Sequence, residues 1–186
     1  MTKFFGHKSL KNRVFLGFYC FICHIFTNFV KKIRRRHAIK KTNSMYESLH
    51  GIVLNTIKYN DRHNITHIYT DRRGRMSFLV AQGNTAAARM RAAMFMPLGL
   101  LQFEARIVPG KDLCTLHDVR RTHALHSLYA DPAKNAIAMF ISELLSHSIQ
   151  ECEQNDALYQ YIATSVQLLD TMTDGVANFH ICFLYH

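Results

Sequence analysis

From Gly51 onward the chain alternates apolar and polar side chains as half-buried strands do. Ile52, Val53 and Leu54, then Ile57 and Tyr59, make a first strand that Asn60 and Asp61 close. Ile65 to Thr70 alternates as a second. Asp71-Arg72-Arg73-Gly74 is a turn with Gly74 free to take a positive φ, and Arg75 to Val80 is a third strand. Thr85 to Met96, rich in Ala and Met, predicts a short helix with Asn84 or Thr85 as its cap and Pro97 as its stop. Leu98 to Val108 and Leu113 to Arg121 predict two more strands around a Pro109-Gly110 turn.

The period then changes to that of helices. Asp131-Pro132 is a cap followed by a favoured first-turn residue, and Ile137, Phe140, Ile141, Leu144 and Leu145 repeat at helical spacing. Asn155-Asp156 opens another helix, with Leu158, Tyr161, Ile162, Val166 and Leu169 on one face; Gly175 then introduces Phe179, Cys182 and Phe183. The fold class is α+β. Five short strands with a helix between the third and fourth is the order of a five-stranded OB-type β-barrel, here followed by an α-helical domain. A generic five-stranded sheet accounts for the strand count as well, so the barrel rests on the helix position. The expected boundaries are 1–44 for an N-terminal extension, 45–122 for the barrel and 123–186 for an incomplete helical domain.

Charge divides the chain the same way. Residues 1–44 hold 11 of the 23 Lys and Arg and no acid, so the other 12 face all 13 acids, a net of −1 for residues 45–186. Within that body, residues 45–122 carry 11 basic and 6 acidic groups, whereas residues 123–186 carry Lys134 alone against 7 acids. A cationic barrel suits phosphates and an anionic helical segment does not. Lys134 is expected to be a lone cation in an acidic field.

Val14 to Val30 is a 17-residue apolar run followed by Lys31, Lys32 and Arg34 to Arg36. It sits at the lower length limit for a membrane span, and no small-residue cleavage site follows. One reading is a membrane-anchored interaction module. The other is that Met45, which opens directly onto the strand pattern, is the true start. The second accounts for the abrupt end of the acid-free leader. Either way the body is expected in the cytoplasm, and a membrane is not an expected partner.

Five cysteines, an odd number, do not form a disulfide framework; Cys20 and Cys23 make a C-x-x-C with no second pair. Twelve histidines raise the alternative of a metal hydrolase, since three can hold a catalytic zinc. His117, His123 and His126 lie close in sequence, as do His63 and His67, but residues four apart on a strand are ~13 Å apart. No H-E-x-x-H accompanies them and no Gly-rich phosphate loop exists. The expectation is therefore no catalytic residue, no cofactor and no metal.

An ordered set of segments resembles the recombination protein O (RecO) family: Gly51 to Leu54, Tyr59, Ile68 to Thr70, Gly74 to Phe78, Arg89 to Ala93 with Pro97-Leu98, then Glu143-Leu144 and Phe179. The resemblance covers residues 45–186. It implies an OB barrel on a helical domain and the work of a recombination mediator in DNA repair. Such proteins bind single- and double-stranded DNA, engage single-stranded-DNA-binding protein, anneal complementary strands and, with RecR, help place RecA. A cytoplasmic, nucleoid-associated location is implied too.

Three departures stand out. Gln82 to Ala88 is uncharged where the family often carries Lys or Arg, no C-terminal cysteine cluster for zinc is present, and the family continues past the position of His186, implying a truncated chain. Annealing needs cations to offset phosphate repulsion and flat surfaces for unpaired bases. Arg72, Arg73 and Arg75 are expected to act together at one hairpin, with Arg89 and Arg91 near the next connection. Lys58 and Arg62 flank the first turn, and Tyr59 is the candidate stacking platform, while Tyr69 and Phe78 are expected in the core.

Overall fold

A computed structural model describes residues 46–108, 112–150 and 152–185; the apolar run at 14–30, the Cys20/Cys23 pair and the Met45 start lie outside them. Strands β1 (Tyr46–Lys58), β2 (His63–Thr70), β3 (Gly74–Ala81), β4 (Leu100–Arg106) and β5 (Leu113–Arg121) close into a barrel in the order β1-β2-β3-β5-β4. Helix α1 (Ala86–Ala92) lies between β3 and β4. Only the β3–β5 pairing is parallel, with Phe78 opposite Cys114. This is the OB-type arrangement that the helix position implied.

β1 carries the closure. Its first half pairs with β4, Tyr46 to Arg106 through Ile52 to Leu100, and its second half pairs with β2 as far as Lys58 to Asn64. One strand can serve both neighbours only by bending, and the register shifts between Val53 and Asn55 as a β-bulge does. The strand begins five residues before the expected Gly51. Tyr46 to His50 is mostly polar and buries only Leu49, so its strand character comes from β4 and not from its own pattern. β4 starts two residues later than expected because Leu98 takes φ 59; its N–H still donates to Val53 O at 2.8 Å, while Val53 N–H donates to Gly99 O at 3.0 Å. Inside lie Leu49, Val53, Ile68, Phe78, Leu101, Phe103 and Cys114, with the Phe78 and Phe103 rings edge to face at 5.2 Å.

Beyond the barrel come α2 (His126–Ala130), α3 (Pro132–Ser148), α4 (Asp156–Thr171) and α5 (Phe179–Tyr185). Asp131 caps α3 through Ala133 N–H at 2.8 Å, and Asn155 caps α4 through Leu158 N–H at 3.0 Å. The buried faces are Ala138, Ile141, Leu144 and Leu145 on α3, and Tyr159, Ile162, Ala163, Val166 and Leu169 on α4. Tyr159 joins that face because its ring meets Tyr69 of the barrel at 6.4 Å between centroids. Tyr69 is buried as expected, but at the joint with the helices, where its hydroxyl donates to Asn155 O at 3.4 Å.

Three further interactions make that joint. Arg75 Nη1 donates to Ser146 O at 2.6 Å and Ile149 O at 3.0 Å, two carbonyls left open at the end of α3. The Ser142 hydroxyl donates to Leu54 O at the bulge, and Tyr129 donates to Pro97 O at 3.1 Å. Lys134 is not the solvated lone cation the sequence implied. It is 4% exposed, and its ammonium donates to Ser127 Oγ and Asp170 O, both at 2.7 Å, tying α2, α3 and α4 together.

These arrangements set the response to substitution and to acid. A Cβ on Gly51 would overlap Ile68 Cγ2 and lie 2.9 Å from Phe103 Cε1, both in fully buried side chains, so Gly51→Ala should cost about 1–3 kcal/mol in urea denaturation. Lys134→Ala leaves two half-buried acceptors unpaired and should cost about 1–3 kcal/mol by the same measurement. His67 bonds Ser77 Oγ at 2.9 Å, and its pKa lies below the ordinary 6.5 because of burial and, secondarily, the Arg75 cation. A depressed histidine pKa means the unfolded chain takes up the proton first. Its contribution is thus intact above pH 6.5 and falls away as pH drops through the folded value. Unfolding midpoints measured down to acid pH should fall less steeply in His67→Gln than in the parent chain.

Candidate nucleic-acid interface

The β2–β3 hairpin was the expected site, and its backbone is built for a tight turn. Gly74 takes φ 64, Thr70 Oγ1 donates to Gly74 O at 2.8 Å, and Arg73 N–H donates to Thr70 Oγ1 at 3.1 Å. Asp71 anchors the turn to β1 by accepting His50 N–H at 3.2 Å. The three arginines do not act as one cluster, which corrects the sequence expectation. Arg73 is paired with Glu47 at 2.6 Å, both largely covered, and Arg75 is taken up by the end of α3. Arg72 alone is open, 62% exposed and 3.9 Å from Asp71. A guanidinium already desolvated and paired has little left to offer a phosphate.

Strand direction decides where the remaining cations gather. β1, β3 and β5 end, and β2 and β4 begin, at the barrel end opposite this hairpin, as the antiparallel and β3–β5 parallel pairings require. That end carries Lys58 and Arg62 at the β1–β2 turn, Arg89 and Arg91 on α1, and Arg120 and Arg121 closing β5, all exposed. The turn is held by Asn60 Oδ1, which accepts Arg62 N–H at 2.9 Å and His63 N–H at 2.7 Å. Gln82 N–H donates to Arg62 O at 2.7 Å, joining the turn to the lead-in of α1. Arg121 in turn donates to Ala93 O, just past α1.

The nearby acids are Asp61, which pairs with Lys58 at 3.1 Å while both stay solvated, and Asp118 at a bulge in β5 with φ 48. A surface ion pair of that kind is weak and leaves the lysine available. Tyr59 is 61% exposed beside Lys58. Thus Lys58, Tyr59, Arg62, Arg89 and Arg91 are brought to one end, while Arg72, Arg73 and Arg75 are at the other. Sequence reasoning missed Arg120 and Arg121, whose only local signal is a pair of arginines at a strand terminus.

Among the described residues no group of three or more His, Cys, Asp or Glu is placed to hold a metal ion. The histidines go separate ways: His67 to Ser77, His117 edge-on to Tyr46 at 5.6 Å, and His123 to Thr122 Oγ1 at 3.2 Å. Phe78 is fully buried, as expected of barrel core. No helix among the described residues is long and apolar enough to cross a membrane.

Comparison with known proteins agrees with this architecture. A model of the recombination protein O N-terminal domain matches residues 45–125, and one of its C-terminal domain matches residues 129–186. The chain is 39% identical over 140 residues to a protein of Bacteroides fragilis named DNA repair protein RecO, covering 75% of this chain and 58% of that one. A protein of the same name from Phocaeicola vulgatus is 36% identical over 140 residues, with the same two shares of 75% and 58%. Another from Flavobacterium psychrophilum is 34% identical over 135 residues, covering 72% of this chain and 56% of that one. The chain spans a little over half the length of these relatives. With matching domains at both ends of its body and the barrel-then-helices order between them, the chain belongs to the recombination protein O family.

Proposed function

We propose that this chain binds DNA in recombinational repair through the basic end of its barrel, holding strands and performing no covalent chemistry. The observation that carries the reading is the gathering of Lys58, Arg62, Arg89, Arg91, Arg120 and Arg121 at one barrel end in a family whose relatives are named for DNA repair. Phosphates approaching there release counterions as each cation engages. Exposed Tyr59 supplies a face on which an unpaired base can stack. Together these are the requirements for bringing two complementary strands together. Single- and double-stranded DNA are the proposed ligands. Single-stranded-DNA-binding protein, RecR and indirectly RecA are the proposed partners, by the family resemblance.

The test is fluorescence anisotropy of a labelled single strand, titrated at several salt concentrations. Arg62→Ala, Arg91→Ala and Arg120→Ala combined should flatten the slope of log affinity against log salt by about 2, at ~0.7 for each phosphate no longer neutralised. Arg72→Ala, at the far hairpin, should change the slope by less than the effect of a single phosphate. An unchanged slope in the triple variant, with its circular dichroism intact, would move the interface elsewhere; no binding by the parent chain would sink the reading altogether.

A further inference from the structure

Helix α1 is an anomaly in a closed barrel, because none of its seven residues is buried. A helix this short has no stability of its own, and it has no apolar face in the core to supply any. It is held by its ends. Thr85 Oγ1 accepts Ala88 N–H at 3.2 Å at the start. At the finish Arg121 donates to Ala93 O, and Phe95, 7% exposed, enters the barrel core directly afterwards. The return is tight too, since a Cβ on Gly99 would come within 3.0 Å of Met94 O and Met96 O. The helix is thus fixed in place with Arg89, Met90 and Arg91 facing solvent and only Ala88 half-covered.

That surface is Ala-rich but for Arg89, Met90 and Arg91. Met90 is 73% exposed, more than any other large hydrophobic side chain described in the barrel. Successive helical residues are about 100° apart, so the two guanidinium groups flank the methionine on either side. A partner that satisfies all three is anionic outside and apolar within, at the spacing of neighbouring side chains. Phosphates around stacked bases fit that description, and methionine is among the side chains that enter base steps as wedges. A lipid surface shares the anionic exterior, but α1 is only about 10 Å long and offers one large apolar side chain where membrane binding needs a face.

We propose that α1 is a wedge: Met90 enters the base stack where duplex opens into single strand, and Arg89 and Arg91 grip the phosphates on either side. The inference rests on the DNA-binding reading above and adds to it a place and a consequence, local unstacking at the junction. It gives a role to the uncharged approach from Gln82 to Ala88, which leaves the tip of the helix as the point of contact.

The experiment uses the full chain and a forked duplex carrying 2-aminopurine at the junction, whose fluorescence rises on unstacking. The parent chain should bind and raise the fluorescence. Met90→Ala should lose most of that rise, with the helix kept because alanine is the best helix former. Met139→Ala, equally a solvent-facing methionine but on α3, should leave the rise unchanged. Arg89→Ala with Arg91→Ala should also flatten the salt slope by roughly 0.9 for each duplex phosphate released from the protein. Binding with no fluorescence rise in the parent chain, or an undiminished rise in Met90→Ala, would overturn the wedge while leaving DNA binding intact. Loss of binding to anionic vesicles in Met90→Ala, with no effect on the fork, would overturn it in favour of a membrane. Failure of the parent chain to bind the fork or any other DNA would instead overturn the reading on which the wedge rests.

Discussion

The bond between Arg75 and the end of α3 is the constraint around which the two halves of the body are arranged. An α-helix ends with carbonyls that have no partner of their own and with the negative end of its dipole. Here the second residue of β3 donates from one guanidinium nitrogen, Nη1, to two of them, so a barrel strand completes a helix. The charge-assisted bonds are short and directional, which sets where α3 ends relative to β3. The rest of the joint follows that placement: Ser142 reaches the carbonyl freed at the β1 bulge, Tyr69 reaches Asn155 at the start of α4, and Tyr159 closes on Tyr69. His67, next along β2, loses basicity through burial and the nearness of the same cation.

The same bond accounts for how little of the hairpin's positive charge is left open. Of three arginines within four residues, one completes a helix and one is held by Glu47 of β1. Asp71 is needed to tether the turn, so Arg72 is left with an acid beside it. Electrostatic surface is what remains after the fold has taken its share. The opposite end keeps its cations because the elements there are joined by backbone groups and by Asn60, which need no charged side chain. Arg121 is the partial exception, since it is open yet also holds the end of α1.

How much of this was legible in the sequence depends on whether the determining contact is local. β2, β3, β5 and both long helices were, because period and caps are written in neighbouring residues: Asp131 and Asn155 cap where the pattern placed them. The first five residues of β1 were not, because a mostly polar segment becomes strand only against β4. The hairpin cluster was misleading for the same reason. The partners of Arg73 and Arg75 lie 26 and 71 residues away, and spacing along the chain carries no trace of them. Lys134 looked like a stray surface cation because Asp170, 36 residues on, supplies the carbonyl that receives it. The gathering of basic residues at one end needed the parallel β3–β5 pairing, which only the closed barrel defines.

Burial of Lys134 also sharpens the division of charge. The helical segment's single basic side chain is withdrawn from solvent, whereas Glu143, Glu153, Asp156 and Asp174 remain exposed. Its outward field is therefore wholly acidic apart from any protonated histidine. At physiological salt that repulsion is screened beyond about 8 Å, so a strand lying on the barrel's basic end feels mainly the arginines there. At very low salt the range grows to roughly 30 Å and the acids weigh as well, offsetting the basic excess of the barrel segment so that the body as a whole is close to neutral. On the DNA-binding reading proposed above, attraction is local in origin, and what the helical acids add is orientation, by disfavouring approach onto the helices.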